Sequence, residues 1–379
     1  MTSVVIIQRV LPHYRVPFFV GLREALEQRD IELTLLYGQE FPGTVPVSAG
    51  LDAPWAQKIE NRYFDLMGIE LVWQPCLSHL KSADMVIVEQ ANRLLVNYIL
   101  LLLRRIGKPY KLAYWGHGRH TKVSTEQGWR DSIKRMLSNF VDWWFAYTLK
   151  SAESVIAGGY PGNRTTVVQN TISTSELHQA LQSVSITQIE KIRSEFGIEK
   201  NDRVCIFCGG MNAGKKLDFL IDACKSVRFR LPDFHLLLLG DGPEKHKAEA
   251  AAAHLSWVHY IGPVYGPDRV VYFKLGLALL MPGLVGLITV DSFVTQTPMF
   301  TTDLPDHGPE IAYLENGVNG VMTDYNVDSY ADTVVAYLED SSVQKKLKSG
   351  CKRSAQLYTL ENMIGNFASG IQSCLSTDR

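Results

Sequence analysis

The sequence has almost no net charge. Its 38 Lys and Arg stand against 39 Asp and Glu, a formal net charge of −1 over 379 residues, so no bulk field attracts nucleic acid and none is expected as a partner. Cysteine is sparse as well: six residues, scattered, with Cys205 and Cys208 forming a lone C-x-x-C inside an apparent strand. Strand alternation sends those two thiols to opposite faces, which argues against zinc or redox chemistry and for a reduced, cytoplasmic protein. No secretory signal precedes the first strand-like run, "SVVIIQRV". Long apolar runs are missing too, since Leu94 to Leu103 is only about half a bilayer span. What is present, 46% apolar and 20% charged residues, describes a globular chain of enzyme size, long enough for two domains.

Apolar runs alternate with helical patterns. Residues 3–10, 31–38, 83–90, 110–117, 151–159 ("SAESVIAGG") and 165–170 read as strands, with helices predicted over 17–29 and 94–105. The pattern then restarts with "DRVCIFCGG", "FHLLLLGDG", "SWVHYIG", "GLALLMPG" and "TPMFTTD". This βαβ alternation predicts an α/β chain of two doubly wound, Rossmann-like domains facing a cleft. The Asn-, Ser- and Thr-rich "NTISTSELHQ" marks the switch, giving domains 1–172 and 173–356, with a C-terminal helix over about 357–379 returning to the first.

Three glycine-rich stretches follow strands of the second half. In "CGGMNAGKKLDFL" the residues Gly209, Gly214 and Lys215 meet the spacing of a phosphate-cradling loop, but Lys216 stands where such a loop needs Ser or Thr for magnesium. An anion site is expected there, and a magnesium-dependent nucleotide hydrolase is the weaker alternative. In "LLLLGDGPEK", Gly240 and Gly242 form a tight turn, and Lys245 replaces the third glycine of a dinucleotide fingerprint. In "LLMPGLVGLITVDSF" the amides near Val285, Gly286 and Leu287 open a short helix, a site for a diphosphate, with Asp291 one turn further on.

These stretches, with "YIGPV" and "HGPEIAYLENGVNGVM", stand in an order and spacing that resembles the retaining glycosyltransferases of the family-four group. The resemblance spans nearly the whole chain. It implies the GT-B fold and transfer of a sugar from a UDP- or GDP-sugar to a glycan or lipid-linked acceptor, with no cofactor and no metal. It further implies that Gly209, Gly210, Lys215 and Lys216 surround the donor diphosphate, with Lys215 stabilising the leaving group. The family carries an arginine where Gly210 stands, and Lys216 is the candidate replacement. Two family glutamates correspond to Gly283, normally a sugar contact, and to Asp291, which would hold the ribose. Gly242 and the stretch Tyr260 to Val264 would line the donor base. His117 matches a histidine near the transferred sugar, while His13, Tyr14 and Arg15 fall in the acceptor loop and Glu89 closes a strand as a further acceptor group. His117 with His120 lacks a local carboxylate or thiol, so a metal pair is not expected. Gly210 and Gly283 keep a second reading open, a nucleotide-sugar binding protein or inactive subunit.

The one local excess of charge lies between Arg93 and Lys150, with eleven Lys and Arg against three Asp and Glu. Two readings follow: basic ends of buried helices, or a first-domain face, including Arg104, Arg105 and Lys108, that rests on anionic lipid at the inner face of the membrane.

Overall fold

The computed structural model describes residues 1–43, 49–107, 109–118 and 139–377. The chain divides into two units, Met1–Ser173 with Leu360–Arg379, and Thr174–Thr359.

In the first unit the parallel strands are β1 (Thr2–Gln8), β2 (Ile31–Tyr37), β3 (Ala56–Lys58), β6 (Met85–Glu89), β7 (Lys111–Gly116), β8 (Trp143–Ala146) and β9 (Thr165–Val167), and an antiparallel hairpin, β4 (Arg62–Leu66) with β5 (Ile69–Trp73), interrupts them in the chain. Their order across the sheet is β3-β2-β1-β6-β7-β8-β9. Val4 to Ile7 are buried on both faces of β1, which is why this strand reads as a continuous branched apolar run. The following helix, Val16–Glu27, begins with Pro17 in its first turn, where no N–H is required. The C-terminal helix Leu360–Ser376 completes this core: the Phe367 ring stacks on Phe145 at 4.4 Å and meets Trp115 edge-on at 4.9 Å.

Several elements differ from the sequence expectation, which did not include β3, β4, β5, β8 or β15. "SAESVIAGG" lies in a helix, Leu149–Ala157, capped by Thr148 Oγ1 accepting from Ser151 N at 3.1 Å. Ser151, Ala152 and Val155 are its buried positions, a spacing of one helical face. The strand belongs instead to "WWFA" just before it, where bulky aromatics tolerate burial on both faces.

The second unit carries β10 (Arg203–Cys208), β11 (Phe234–Leu239), β12 (Val258–Gly262), β13 (Ala278–Leu280), β14 (Met299–Thr302) and β15 (Gly320–Thr323). All pairings are parallel, in the order β12-β11-β10-β13-β14-β15. The direction of chain progression reverses between β10 and β13. The loops after those two strands therefore straddle the position where doubly wound sheets bind ligands. All six cysteines are buried and free, and burial pushes the Cys205 thiol up to about 12.

Removing the Phe367 ring should leave a cavity among three aromatic side chains, Phe18, Trp115 and Phe145. Phe367→Ala is expected to destabilise the first unit by about 3–5 kcal/mol. Denaturant unfolding followed by tryptophan fluorescence checks this, since Trp115 lines the cavity; an unchanged first-unit transition would refute the packing.

Candidate functional site

The ends of β10, β11 and β12 are laced together beyond their ladders. Gly209 N donates to Leu239 O at 3.0 Å, Met211 N to Asp241 O at 2.8 Å, and Gly240 N to Gly262 O at 2.8 Å. A Cβ at Gly240 or Gly242 would collide with the backbone of Gly209 or Met211, so these glycines let two strand-end turns lie directly on one another. Tyr260 braces the same place, its hydroxyl donating to Gly240 O at 3.1 Å, and Val264 packs half-buried on the unit's core. Gly210 differs. It is exposed, and no atom lies within 4 Å of the position a Cβ would take.

Asn212 Oδ1 accepts from Gly214 N at 3.0 Å and starts the short turn Ala213–Lys215; Lys216 then takes a left-handed conformation (φ 56°) before the helix Leu217–Arg230. Onto this turn the loop after β13 is pressed. Leu284 N donates to Gly214 O at 2.8 Å, and Lys215 Nζ donates to Leu284 O. Gly283 is buried against the backbone of Gly214 and Lys215, where any side chain would collide. The missing carboxylate at Gly283 is thus a packing requirement of this chain. Burial holds the Lys215 ammonium below the usual lysine value, with the nearby Cys208 opposing. One of its three protons goes to Leu284 O, leaving two for a ligand.

The three amides expected to hold a diphosphate are not equivalent. Val285 N donates to His307 Nδ1 at 3.1 Å, so this amide is occupied and the expectation for it is corrected. His307 Nε2 in turn donates to Thr302 O at 2.7 Å, which sets the tautomer, and Gly308 N donates to Val285 O at 2.8 Å. The N–H groups of Gly286 and Leu287 have no hydrogen-bond partner among the described residues. They precede the helix Ile288–Val294.

Asp291 also departs from expectation. Its residue is 2% exposed, and its carboxylate accepts a two-pronged contact from Arg269, Nη1 to Oδ2 at 2.9 Å and Nη2 to Oδ1 at 3.0 Å. A carboxylate held in this way is not presented to ribose hydroxyls. Burial raises its pKa to about 6, against the pull of Arg269. The Cys208 thiol lies beside the same guanidinium. Sequence reasoning missed Arg269, His307 and Glu310. The last is 3% exposed, with Oε2 set against Gly308, where a Cβ would come within 2.8 Å. The stretch "HGPEIAY" was the available signal for two of them.

In the first unit, the structure places His13, Tyr14, Glu89 and His117 at the carboxyl ends of β1, β6 and β7. His13 and Tyr14 are exposed on one turn, and His117 is exposed with its ring edge-on to Tyr147 at 4.8 Å. Glu89 Oε1 accepts from Arg9 N at 2.8 Å; burial raises its pKa while Arg9, Arg93 and Arg15 oppose. Arg15, on the same turn as His13 and Tyr14, is the inward-facing one of the three. It is buried, donates to Asn170 Oδ1, and lies over the Trp115 ring at 5.2 Å. Arg104, of the face expected to meet lipid, forks onto Asp142 with Nε to Oδ2 at 2.6 Å. Lys108 and His120 lie outside the described residues. Among the described residues no helix is long and apolar enough to cross a membrane.

Residues 202–340 match the family model described as Glycosyl transferases group 1. The D-inositol 3-phosphate glycosyltransferase of Jonesia denitrificans is 22% identical over 186 residues, 45% of this chain and 43% of its own length. The chain spans about half the length of the curated relatives it matches. Anabaena Alr3699/HepE, solved in complex with UDP, superposes with a TM-score of 0.68 at 16% identity, over 98% of this chain and 100% of that one. A glycosyltransferase from Rickettsia africae ESF-5 superposes with a TM-score of 0.69 at 11% identity, over 100% and 99% of the two chains. The fold is therefore GT-B, built from two Rossmann-like domains, and the second of them carries the match to group 1 glycosyl transferases.

Proposed function

We propose that this chain is a retaining, metal-independent glycosyltransferase that moves a sugar from a nucleoside diphosphate sugar to a glycan or lipid-linked acceptor. One observation carries the reading: the Gly209–Lys216 turn and the loop after β13 are fastened together by Leu284 N to Gly214 O at 2.8 Å and Lys215 Nζ to Leu284 O. That fastening holds the Lys215 ammonium, the open flank of Gly210 and the unpartnered Gly286 and Leu287 amides on connected loops at one strand-end edge. Fixed donors of this kind stabilise charge that develops on a leaving diphosphate without reorganising during the reaction. The family match over residues 202–340 supports the transferase class, and the UDP and UDP-glucose complexes of the Anabaena protein favour a UDP-sugar over a GDP-sugar as donor.

In this reading the bond from the anomeric carbon to the β-phosphate oxygen breaks, and its electron pair stays on the diphosphate. The acceptor hydroxyl adds to the same face of the sugar while its proton passes to the departing phosphate oxygen. Lys215, Gly286 and Leu287 stabilise that oxygen's charge, with Lys216 as a further cation. His117 would bond a sugar or acceptor hydroxyl, and His13 and Tyr14, exposed after β1, would meet the acceptor. Asp291 would act at one remove, by holding Arg269.

Lys215→Ala removes a cation and a loop fastening together. Transfer assays with a UDP-sugar should show kcat lowered by roughly 10²- to 10³-fold, as for loss of one preorganised donor, with KM also raised. EDTA should leave wild-type turnover unchanged. Near-normal transfer by the variant, or loss of wild-type activity with the chelator, would contradict the assignment.

Asp291→Ala strands a largely buried guanidinium. The second unit should lose about 3–5 kcal/mol of stability, and the pair Asp291→Leu with Arg269→Met should recover much of it. Thermal unfolding of both variants checks this. A fully stable Asp291→Ala protein that has lost only nucleotide affinity would restore the ribose contact.

A further inference from the structure

Three polar side chains are linked at the amino ends of β10, β11 and β12, the end of the second sheet opposite the glycine-rich loops. Asp202 Oδ2 accepts from Glu199 N at 2.7 Å and stands 3.2 Å from Nε2 of His235, which is 8% exposed. An ionised carboxylate only accepts, so His235 carries its hydrogen on Nε2 and its Nδ1 is bare. That Nδ1 faces Nε2 of the half-buried His259 at 3.0 Å. The two rings lie within 11° of parallel with centres 5.3 Å apart, so they meet nitrogen to nitrogen and hold one hydrogen between them, donated by His259. Among the described residues no group of three metal-ligating side chains occurs, which makes this pair a hydrogen bond and not part of a metal site.

The strand that His259 belongs to depends on such ties. β12 is five residues long, stands at the edge of its sheet with β11 on one side, and its pairing slips between Leu238 and Leu239. Two neighbouring side chains, pointing to opposite faces, fasten it. His259 bonds to His235 near the start of β11, and the Tyr260 hydroxyl donates to Gly240 O at 3.1 Å, just past the end of β11. The first tie is thus one residue away from the brace on the Gly240–Gly242 turn.

Few charges act on the pair. Asp202 and Asp233 favour a charged His235, and Arg228 of the helix Leu217–Arg230 opposes it; Asp233 is itself paired with Arg203. The helix Ile186–Phe196 sets the Phe196 ring 5.1 Å from that of His259. Lys245 and Glu249, of the helix Lys245–His254, bear on Tyr260 and not on His259, where the acting charge is that of His235. Burial is the largest influence on both histidines and lowers both, His259 to about 4. A first added proton charges a ring on which no carboxylate acts; a second gives both facing nitrogens a hydrogen and breaks the bond. Because the fold holds both groups below the ordinary histidine value of about 6.5, the released state takes up protons first. The tie therefore weakens as pH falls from about 6.5 toward about 4. We propose that the Asp202–His235–His259 chain is an acid-sensitive tie on β12: protonation of the histidine pair releases the start of this edge strand and, through Tyr260, loosens the Gly240–Gly242 turn at the candidate donor site. Only the effect on a nucleotide sugar rests on the proposed function.

The test is hydrogen exchange of the full chain at about pH 7.5 and about pH 5, each corrected for the intrinsic rate. The Val258–Gly262 amides should lose protection by at least about tenfold at the lower pH, while β13 and β14 keep theirs. A glutamine at position 259 can still donate to His235 Nδ1 and does not titrate, so in His259→Gln the loss should stay within about twofold. UDP-glucose, whose diphosphate does not titrate in this range, should bind the wild type at least about threefold more weakly at the lower pH, and His259→Gln should abolish most of that difference. Equal protection of β12 at the two pH values, the same loss in His259→Gln, or nitrogen-15 NMR showing a hydrogen on His235 Nδ1 at the higher pH would overturn the tie. Loss of β12 protection with unchanged UDP-glucose affinity would overturn its coupling to the donor site. Loss of β12 protection in a protein that binds no UDP-glucose at either pH would sink the donor reading and leave the tie standing.

Discussion

The close approach of Gly283 to the Gly214–Lys215 backbone is the constraint on which the candidate donor site depends. Two loops that follow β10 and β13 meet there with no side chain between them, and the contact is locked by one amide and one ammonium donating across it. The same device recurs one strand away, where Gly240 and Gly242 rest on Gly209 and Met211. Backbone packed on backbone leaves little freedom for either loop, so the amides of Gly286 and Leu287 keep their direction without a ligand to hold them. Preorganisation of that kind is what a reaction with a developing anion requires.

The cations described above divide into two kinds. Arg15, Arg104 and Arg269 are each engaged with a buried or half-buried partner and an aromatic or carboxylate surface. They hold the fold. Lys215 and Lys216 retain protons not fully engaged by the protein, and Gly210 leaves the space beside them open. Lys215 and Lys216 therefore put uncommitted positive charge at the end of β10.

Much of this was legible in the sequence, for identifiable reasons. Parallel strands buried on both faces give long branched apolar runs, so β1, β2, β10 and β11 stand out, as do the glycines that end them. "SAESVIAGG" misled because the buried face of this nine-residue helix is made largely of small residues, Ser151 and Ala152, and the strand "WWFA" is too short and too aromatic to show alternation. Within the site, spacing located the loops correctly but not the side-chain partners. Asp291 lies one turn past the phosphate loop, as its position implies, yet its carboxylate is turned to Arg269, twenty-two residues earlier in the chain. Such a pairing is a tertiary fact with no local signature. His307 taking the Val285 amide is another of the same type, and Gly283 looked like a lost carboxylate until the backbone beneath it was visible.

The measurement that tests the account most directly is calorimetric titration of the wild-type chain with UDP and with uridine under the same conditions. If the loops after β10 and β13 are built to receive a diphosphate, UDP should bind at least about a hundredfold more tightly than the nucleoside, about 2.7 kcal/mol. It should also raise the Tm of the second unit, because a ligand that binds only the folded state stabilises it. Equal affinity for the two, or no binding of any nucleoside diphosphate, would contradict the central claim.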